Sequence, residues 1–372
     1  MKPAIQTVTL KEFAEQHNTT YGANTCIDGV NAYTDTNRLQ TGIFTLDLAT
    51  GGGLPIGMIT SFKGPESGGK SSAAMNTAAI AGKICWRCFK INCTCSEPPI
   101  RSKVFWADIE GTFNVEWATA IGMDPETYLL GYGEDGEQYV DLCETAIRAS
   151  DCGLVVIDSV SALTPSKIIE GSAYNNYMGV DPRFITPFIK RLRSRLIRER
   201  KLGHPVVCLL TNQIRFKIGE MFGNPETVGG GQGLKHEIAL SVRFSKRSPT
   251  EAQKKMKDES RDMDRLQRHS FSIDKLKLTT YAGAGEFVRA KENISKDGVL
   301  LYKKGDVLDA KSVIKYGKDF GLLVEEGGKY RAGVFTGTQK EIIEAWRSDR
   351  GAYLEFQKEV TSKALQSIDI CQ

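Results

Sequence analysis

The stretch GPESGGKSS, Gly64 to Ser72, has residue types and spacing suited to holding phosphates. It fits the pattern G-x-x-x-x-G-K-[ST] and lies between an apolar strand-like run and an alanine-rich helical run, SAAMNTAAIAG, which is the setting that pattern needs. Gly64, Gly68 and Gly69 let the backbone turn its N–H groups towards one point, with Glu66 and Ser67 on the arc between them and Ser72 just behind. Lys70 can then reach the outer phosphates, and Ser71 offers a hydroxyl to Mg²⁺. The N-terminus of the helix adds the positive end of its dipole.

Two further apolar runs end in carboxylates. GLVVIDS places Asp158 where an aspartate can hold the Mg²⁺ shell; by itself such a residue is as often a turn former, and its pairing with the phosphate loop favours the metal role. VFWADIEGTF ends in Asp108 and Glu110, and a carboxylate beside a terminal phosphate can orient and deprotonate water. Glu110 is assigned that role.

A different chemistry is written in CWRCFKINCTCSEPP. Cys85, Cys88, Cys93 and Cys95 form a C-x₂-C-x₄-C-x-C array close enough in the chain to converge on one tetrahedral ion. Thiolates favour Zn²⁺, and the expected site is structural; an iron–sulfur cluster or redox-sensitive disulfides are the alternatives. Trp86, Arg87 and Lys90 within the array could touch DNA or a partner, against the plainer reading of a staple closing an inserted turn.

The elements that must position these groups are legible as short apolar runs: GMITSFK, KVFWADI, GLVVID, PVVCLLT and IALSVRF, separated by helical segments. Near-continuous apolar strands alternating with helices predict an α/β core with a mainly parallel sheet covered on both faces. Thr9 and Glu12 in TLKEFAEQH predict a capping box opening a short N-terminal helix. From Arg183 to Lys201 eight basic residues meet one acid, Glu199, while Phe184, Phe188, Leu192 and Leu196 recur every four. That is an amphipathic helix whose basic face is either solvated or set against phosphates. A charged segment at 246–268 interrupts the core pattern as an exposed insertion, and HSFSIDKLKLT follows as a strand. After about Ser295 two amphipathic helical runs, GDVLDAKSVIKYG and TQKEIIEAWRSD, with turns between them, predict a small α+β C-terminal module. The expected division is 1–40, an N-terminal helix and linker; 41–295, the nucleotide-binding core carrying the cysteine array; and 296–372, the C-terminal module.

Bulk properties restrict the class. At 372 residues, 41% hydrophobic and 25% charged, the chain reads as an ordinary soluble protein with room for two or three domains. A net charge of +4 does not announce a nucleic-acid binder by itself. No apolar run approaches a membrane span, and Met1 to Leu10 lacks the apolar centre of a signal peptide, so a cytoplasmic protein with no membrane partner is expected. Nine cysteines, an odd count, fit reduced thiols plus a metal site better than a disulfide framework.

Three longer stretches carry a family resemblance: LQTGIFTLDLATGGGLPIGMITSFKGPESGGKSS, VVIDSVSALTPSKIIEG and NQIRFKIGEMFGNPETVGGG. In order and spacing they resemble the bacterial and phage RecA recombinases, well from Thr41 to Ser245 and loosely beyond. The resemblance implies a P-loop NTPase with a RecA-like core, helical filaments on single-stranded DNA, ATP with Mg²⁺, and strand exchange with a homologous duplex. It further implies that Glu110 is the catalytic glutamate, that Trp117 packs on adenine, and that Gln213 senses the γ-phosphate at the start of a second DNA loop. Lys275 and Lys277 match a lysine pair that reaches a neighbouring subunit's ATP. The polar stretch from Ile214 to Gly231 resembles that second loop, offering Arg215, Lys217 and Ile218, while Glu170 to Gly179 occupies the place of the first, offering Met178, with Arg183 just beyond. The cysteine array is absent from the common family pattern. The chain ends SIDICQ without an acidic tail, which favours a phage origin and hence the cytoplasm of an infected cell. Single-strand-binding or mediator proteins are further implied partners. The competing readings are a hexameric motor or helicase on the same core, and an ATP-binding mediator without strand exchange.

Overall fold

The structure, a computed structural model, describes residues 8–22, 25–27, 37–91, 93–170, 182–216, 226–228, 231–246, 265–277, 283–296 and 299–369. Helix α1, Leu10–Tyr21, opens with the expected box: the Thr9 hydroxyl accepts from the Glu12 N–H and the Glu12 carboxylate accepts from the Thr9 N–H. Strands β1 (Arg38–Leu39) and β2 (Leu54–Pro55) pair antiparallel around helix α2 (Phe44–Ala49).

The core alternates in chain order: β3 (Ile59–Gly64), α3 (Lys70–Ala81), β4 (Lys103–Asp108), α4 (Val115–Ile121), β5 (Tyr128–Gly131), α5 (Gly136–Arg148), β6 (Cys152–Asp158), α6 (Ser166–Ile169), α7 (Pro182–Lys201), β7 (Val207–Phe216), β8 (Glu226–Val228), α8 (Gly231–Glu237), β9 (Leu240–Lys246), β10 (Leu266–Leu276) and β11 (Ala284–Ala290). These strands lie in the order β11-β10-β9-β3-β7-β6-β4-β5, with β8 paired to β7. From β9 to β5 neighbours run parallel; β10 and β11 add an antiparallel edge. Apolar clusters cover both faces, one drawing on α3 and α4, the other on α5 and α7. Every residue of β6 is buried, which is why its sequence shows a continuous apolar run rather than alternation.

A third cluster joins Phe44 and Leu48 of α2 to the C-terminal elements. Those include helices α9 (Ala310–Asp319), α10 (Gln339–Ser348) and α11 (Arg350–Asp369). The Phe44 N–H donates to the buried Asp309 carboxylate at 3.3 Å, so this junction is polar as well as apolar.

Two expectations are revised. The polar stretch after Gln213 is not loop from its first residue: β7 continues to Phe216 and pairs antiparallel with β8, Ile214 opposite Val228. A two-strand stem thus holds its base, and α8 begins at Gly231. Part of the basic face of α7 is matched by acids: Arg191 binds Glu144 at 2.7 Å and Arg193 binds Glu237 at 2.8 Å. Those partners are far away in the sequence, so the charge run alone could not disclose them. Positions 171–181 of the first loop, 217–225 of the second and 247–264 of the charged insertion lie outside the described residues; with them go Met178, Lys217 and Ile218.

Candidate nucleotide site

The parallel strands β3, β4, β6 and β7 end side by side, and their C-terminal ends collect the expected residues. Asp108 is opposite Asp158 in the register and Gly64 opposite Gln213. The loop after β3 fits this place sterically. Gly69 has φ +98°, and a Cβ there would lie 2.7 Å from Nδ1 of His269 on β10; at Gly64 a Cβ would lie 2.3 Å from the Phe244 carbonyl oxygen. The backbone of the loop is therefore pressed onto the sheet edge, with no room for side chains at either position. Glu66 and Ser67 are exposed on its rim, and Gly68 is buried beneath.

Lys70 is buried, and its ammonium donates to the Gly64 and Pro65 carbonyls at 3.1 and 2.8 Å. Burial lowers its pKa, opposed by the carboxylates of Asp158, Glu110 and Glu66. An ammonium held on loop carbonyls inside a ring of acids is placed to exchange those acceptors for phosphate oxygens. Burial raises the Asp158 pKa, opposed by hydrogen bonds from the hydroxyls of Thr211 and Ser71. Ser71 and Asp158 are thus in direct contact, the donor set and spacing that a hard, oxygen-preferring ion such as Mg²⁺ takes.

Asp108 and Glu110 divide the work. The Asp108 carboxylate accepts the N–H groups of Thr112 and Phe113 at 3.1 and 3.0 Å, which makes it the turn former. Glu110 is left exposed, and its Oε1 accepts Gln213 Nε2–H at 3.1 Å and the Ser159 hydroxyl at 2.5 Å. Trp117 donates from its indole nitrogen to Ser72 Oγ at 3.1 Å, which sets its half-buried ring beside the start of α3.

A family model described as the RecA N-terminal domain matches residues 8–267. The chain belongs to the RecA family. Among solved structures it is similar to the RadB recombinase, at 19% identity over 67% of this chain and 94% of that chain, with a TM-score of 0.45. Family membership carries the P-loop ATPase class and ATP binding with it.

Elsewhere in this RecA-family chain, Lys275 and Lys277 do not meet the nucleotide loop. Their ammonium groups donate to the Lys235 and His236 carbonyls near the C-terminus of α8. Burial lowers the Lys275 pKa, helped by the charge of Lys277. Arg183 is exposed at the start of α7, and Arg215 is on the β7 stem. Among the described residues no helix is long and apolar enough to cross a membrane.

The cysteine array is at the opposite end of the sheet. The Sγ atoms of Cys85, Cys88, Cys93 and Cys95 all lie within 4.8 Å of one another. Tetrahedral Zn–S bonds of about 2.3 Å place sulfurs about 3.8 Å apart, so the four fit one ion with little movement. The turn is built for it: Cys85 and Lys90 form a β-bridge, and Phe89 takes φ +54° so that the chain can fold back after Cys88. Burial pushes the Cys85 thiol up, but the N–H groups of Arg87, Cys88 and Ile100 and the Cys93 thiol outweigh it and bring it to about 6. The Cys93 and Cys88 thiols push Cys95 to about 12, since crowded thiols cannot all ionise without a cation among them. Trp86 is spent on packing: its Nε1–H donates to the Ala81 carbonyl at 3.1 Å, and its ring covers Gly153, where a Cβ would lie 2.3 Å from Cζ2. Arg87 pairs with Glu97 at 2.6 Å.

Sequence reasoning missed Ser159, Ser161, Thr211 and His269. The hydroxyls had a signal in DSVS and LLTNQ, where hydroxyl residues stand at the ends of apolar strands; His269 had none, because its contact with Gly69 spans the whole core.

Proposed function

We propose that this protein is an ATP-dependent recombinase that assembles as a helical filament on single-stranded DNA and catalyses pairing and strand exchange with a homologous duplex. The observation that carries this reading is the Gln213–Glu110 hydrogen bond. It joins the carboxylate positioned for water to the strand that runs directly into the second loop, so that nucleotide state and loop position are mechanically one problem.

In this reading the backbone from Gly64 to Gly69, with Glu66, Ser67 and Gly68, cradles the phosphates. Lys70 neutralises their charge, Ser72 holds the Trp117 indole against the base, and Glu110 orients and deprotonates water. Ser71 and Asp158 would hold Mg²⁺, which when bound supplies charge for the transferring phosphoryl group. Gln213 donates its amide to Glu110 when the γ-phosphate is absent and to that phosphate when it is present. Lys275 and Lys277 leave the α8 carbonyls for a neighbouring subunit's nucleotide, which makes ATP the cement between subunits. Met178, Arg183, Arg215, Lys217 and Ile218 contact the single strand, the cations on phosphates and the apolar pair between bases.

Cys85, Cys88, Cys93 and Cys95 would hold a structural Zn²⁺, which when bound cross-links the inserted turn. The segment 1–40 serves oligomerisation, 41–295 is the ATPase core and 296–372 a C-terminal module. The setting is the cytoplasm of a phage-infected cell, with single-strand-binding or mediator proteins as accessory partners.

The test is ATP hydrolysis alone, with single-stranded DNA and with duplex, at one fixed low salt because phosphate contacts weaken with salt. Strong stimulation by single strands, followed by strand exchange without unwinding, is the expected result. DNA-independent turnover, or unwinding of a duplex, would transfer the site to a motor; ATP binding without turnover would make it a mediator.

A further inference from the structure

Resting on that reading, the hydroxyls beyond Asp158 form a directed chain that links the two halves of the site. β6 ends at Asp158, and a short 3₁₀ turn, Val160–Ala162, follows. Ser159 and Ser161 on this turn are both buried. Ser159 Oγ is 2.5 Å from Glu110 Oε1 and 2.8 Å from Ser161 Oγ, and Ser161 Oγ in turn accepts the Gln213 backbone N–H at 3.3 Å.

The proton directions are forced. An ionised carboxylate only accepts, so Ser159 gives its single hydroxyl proton to Glu110. Ser161 must then donate to Ser159, and its lone pair is left for the Gln213 N–H. Every donor from the β7 backbone to the carboxylate points the same way, and successive bonds of this kind polarise one another in a buried setting. The Gln213 side chain closes the ring from the other side through Nε2–H on the same Oε1. A shift of β7 at Gln213 therefore acts on Glu110 along two routes, one through the side chain and one through the hydroxyls.

We propose that Ser161 is a positioning residue for ATP hydrolysis, one that fixes the Glu110 carboxylate to the backbone of the strand leading into the second DNA loop. Ser159 is the obligatory intermediate, and its neighbour Asp158 makes it a poor target for mutation. Ser161 contacts neither phosphate loop nor metal-holding groups, so its removal tests the relay itself.

The experiment compares wild type, Ser161→Ala, Ser161→Thr, Gln213→Ala and the Ser161→Ala/Gln213→Ala double variant in ATP hydrolysis with saturating single-stranded DNA. Ser161→Ala is expected to lower kcat about tenfold, the scale of one lost buried hydrogen bond, with KM for ATP within about twofold of wild type. Ser161→Thr keeps the hydroxyl and should keep kcat, and the double variant should be slower than either single variant, since Gln213→Ala removes the side-chain route but keeps the backbone N–H that feeds the hydroxyl route. Wild-type kcat in Ser161→Ala, a rise in KM that accounts for the loss, or a double variant no slower than Gln213→Ala would each overturn the relay. Hydrogen exchange at the Gln213 amide needs no activity: it should accelerate in Ser161→Ala and not at Leu209 further back on β7, and unchanged exchange would also overturn the proposal. If wild-type turnover ignores DNA, the recombinase reading fails, and the relay stands or falls on that exchange rate.

Discussion

Helix α3 has a different kind of chemistry at each end. At its N-terminus Lys70 rests on the Gly64 and Pro65 carbonyls, and Asp158, Ser71, Thr211, Glu110 and Gln213 satisfy one another. At its C-terminus the Ala81 carbonyl is taken by Trp86, the second residue of a four-thiol turn. The first set is open to exchange, since every internal bond has a replacement among phosphate oxygens and a divalent ion. The second is closed, since four sulfurs face one another and Trp86 is held between the Ala81 carbonyl and the sheet at Gly153. One helix therefore carries both an exchangeable end and a fixed end.

The contrast breaks most completely at the exchangeable end. Glu110→Gln keeps the shape and the hydrogen bonds of an amide but loses the base, and should lower DNA-stimulated turnover by about 100-fold or more while ATP still binds; equal turnover in a phosphate-release assay would remove Glu110 from the mechanism. Next in size is the fixed end. Stripping metal with a strong chelator, or Cys88→Ser, should lower Tm by about 5 °C through loss of the cross-link, with KM for ATP nearly unchanged. A large rise in KM would mean that α3 transmits the state of one end to the other, and the comparison would have to be redrawn.

The smallest effect sharpens the picture at the sheet beneath the loop. Burial, helped by the Arg289 guanidinium, pushes His269 down to about 4 from an ordinary 6.5. The unfolded chain takes up this proton below about 6.5 and the folded one does not until about 4, so stability falls with pH across that window. Asp47 and Asp309 act in the opposite sense: burial raises them to about 7 and about 6, so their contribution is present at low pH and lost as pH rises through those values. His269→Gln should remove a term on the order of 1–3 kcal/mol at the acid end and leave thermal stability flatter or rising as pH falls from 6.5 to 4. An unchanged Tm profile would show that the ring is not held neutral.

What the sequence disclosed is what is local. The phosphate loop, the capping box at Thr9 and Glu12, the buried strands and the cysteine spacing all concern residues within a few positions of each other, where backbone geometry and periodicity decide the outcome. Glu110 was chosen over Asp108 in the sequence, and the resemblance agreed; the structure supplies the physical reason, since Asp108 is used up by the turn. The basic face of α7 read as either solvated or set against phosphates, because Glu144 and Glu237 reach it from other helices. The stem of the second loop was hidden because β8 is only three residues long, too short for alternation to register.

Trp86 covering Gly153 sets an order of events. The cysteine turn has all four thiols once the chain has left the ribosome as far as Cys95, before β6 exists. Its docking surface arrives only with Gly153, and the nucleotide end only with Gln213, on the strand that pairs with the one carrying Asp158. Contacts so distant in sequence form late because closing long loops is entropically costly. During synthesis the four-thiol turn is then in place well before the wall it packs on, and the nucleotide end of the same helix is completed only by residues that emerge much later.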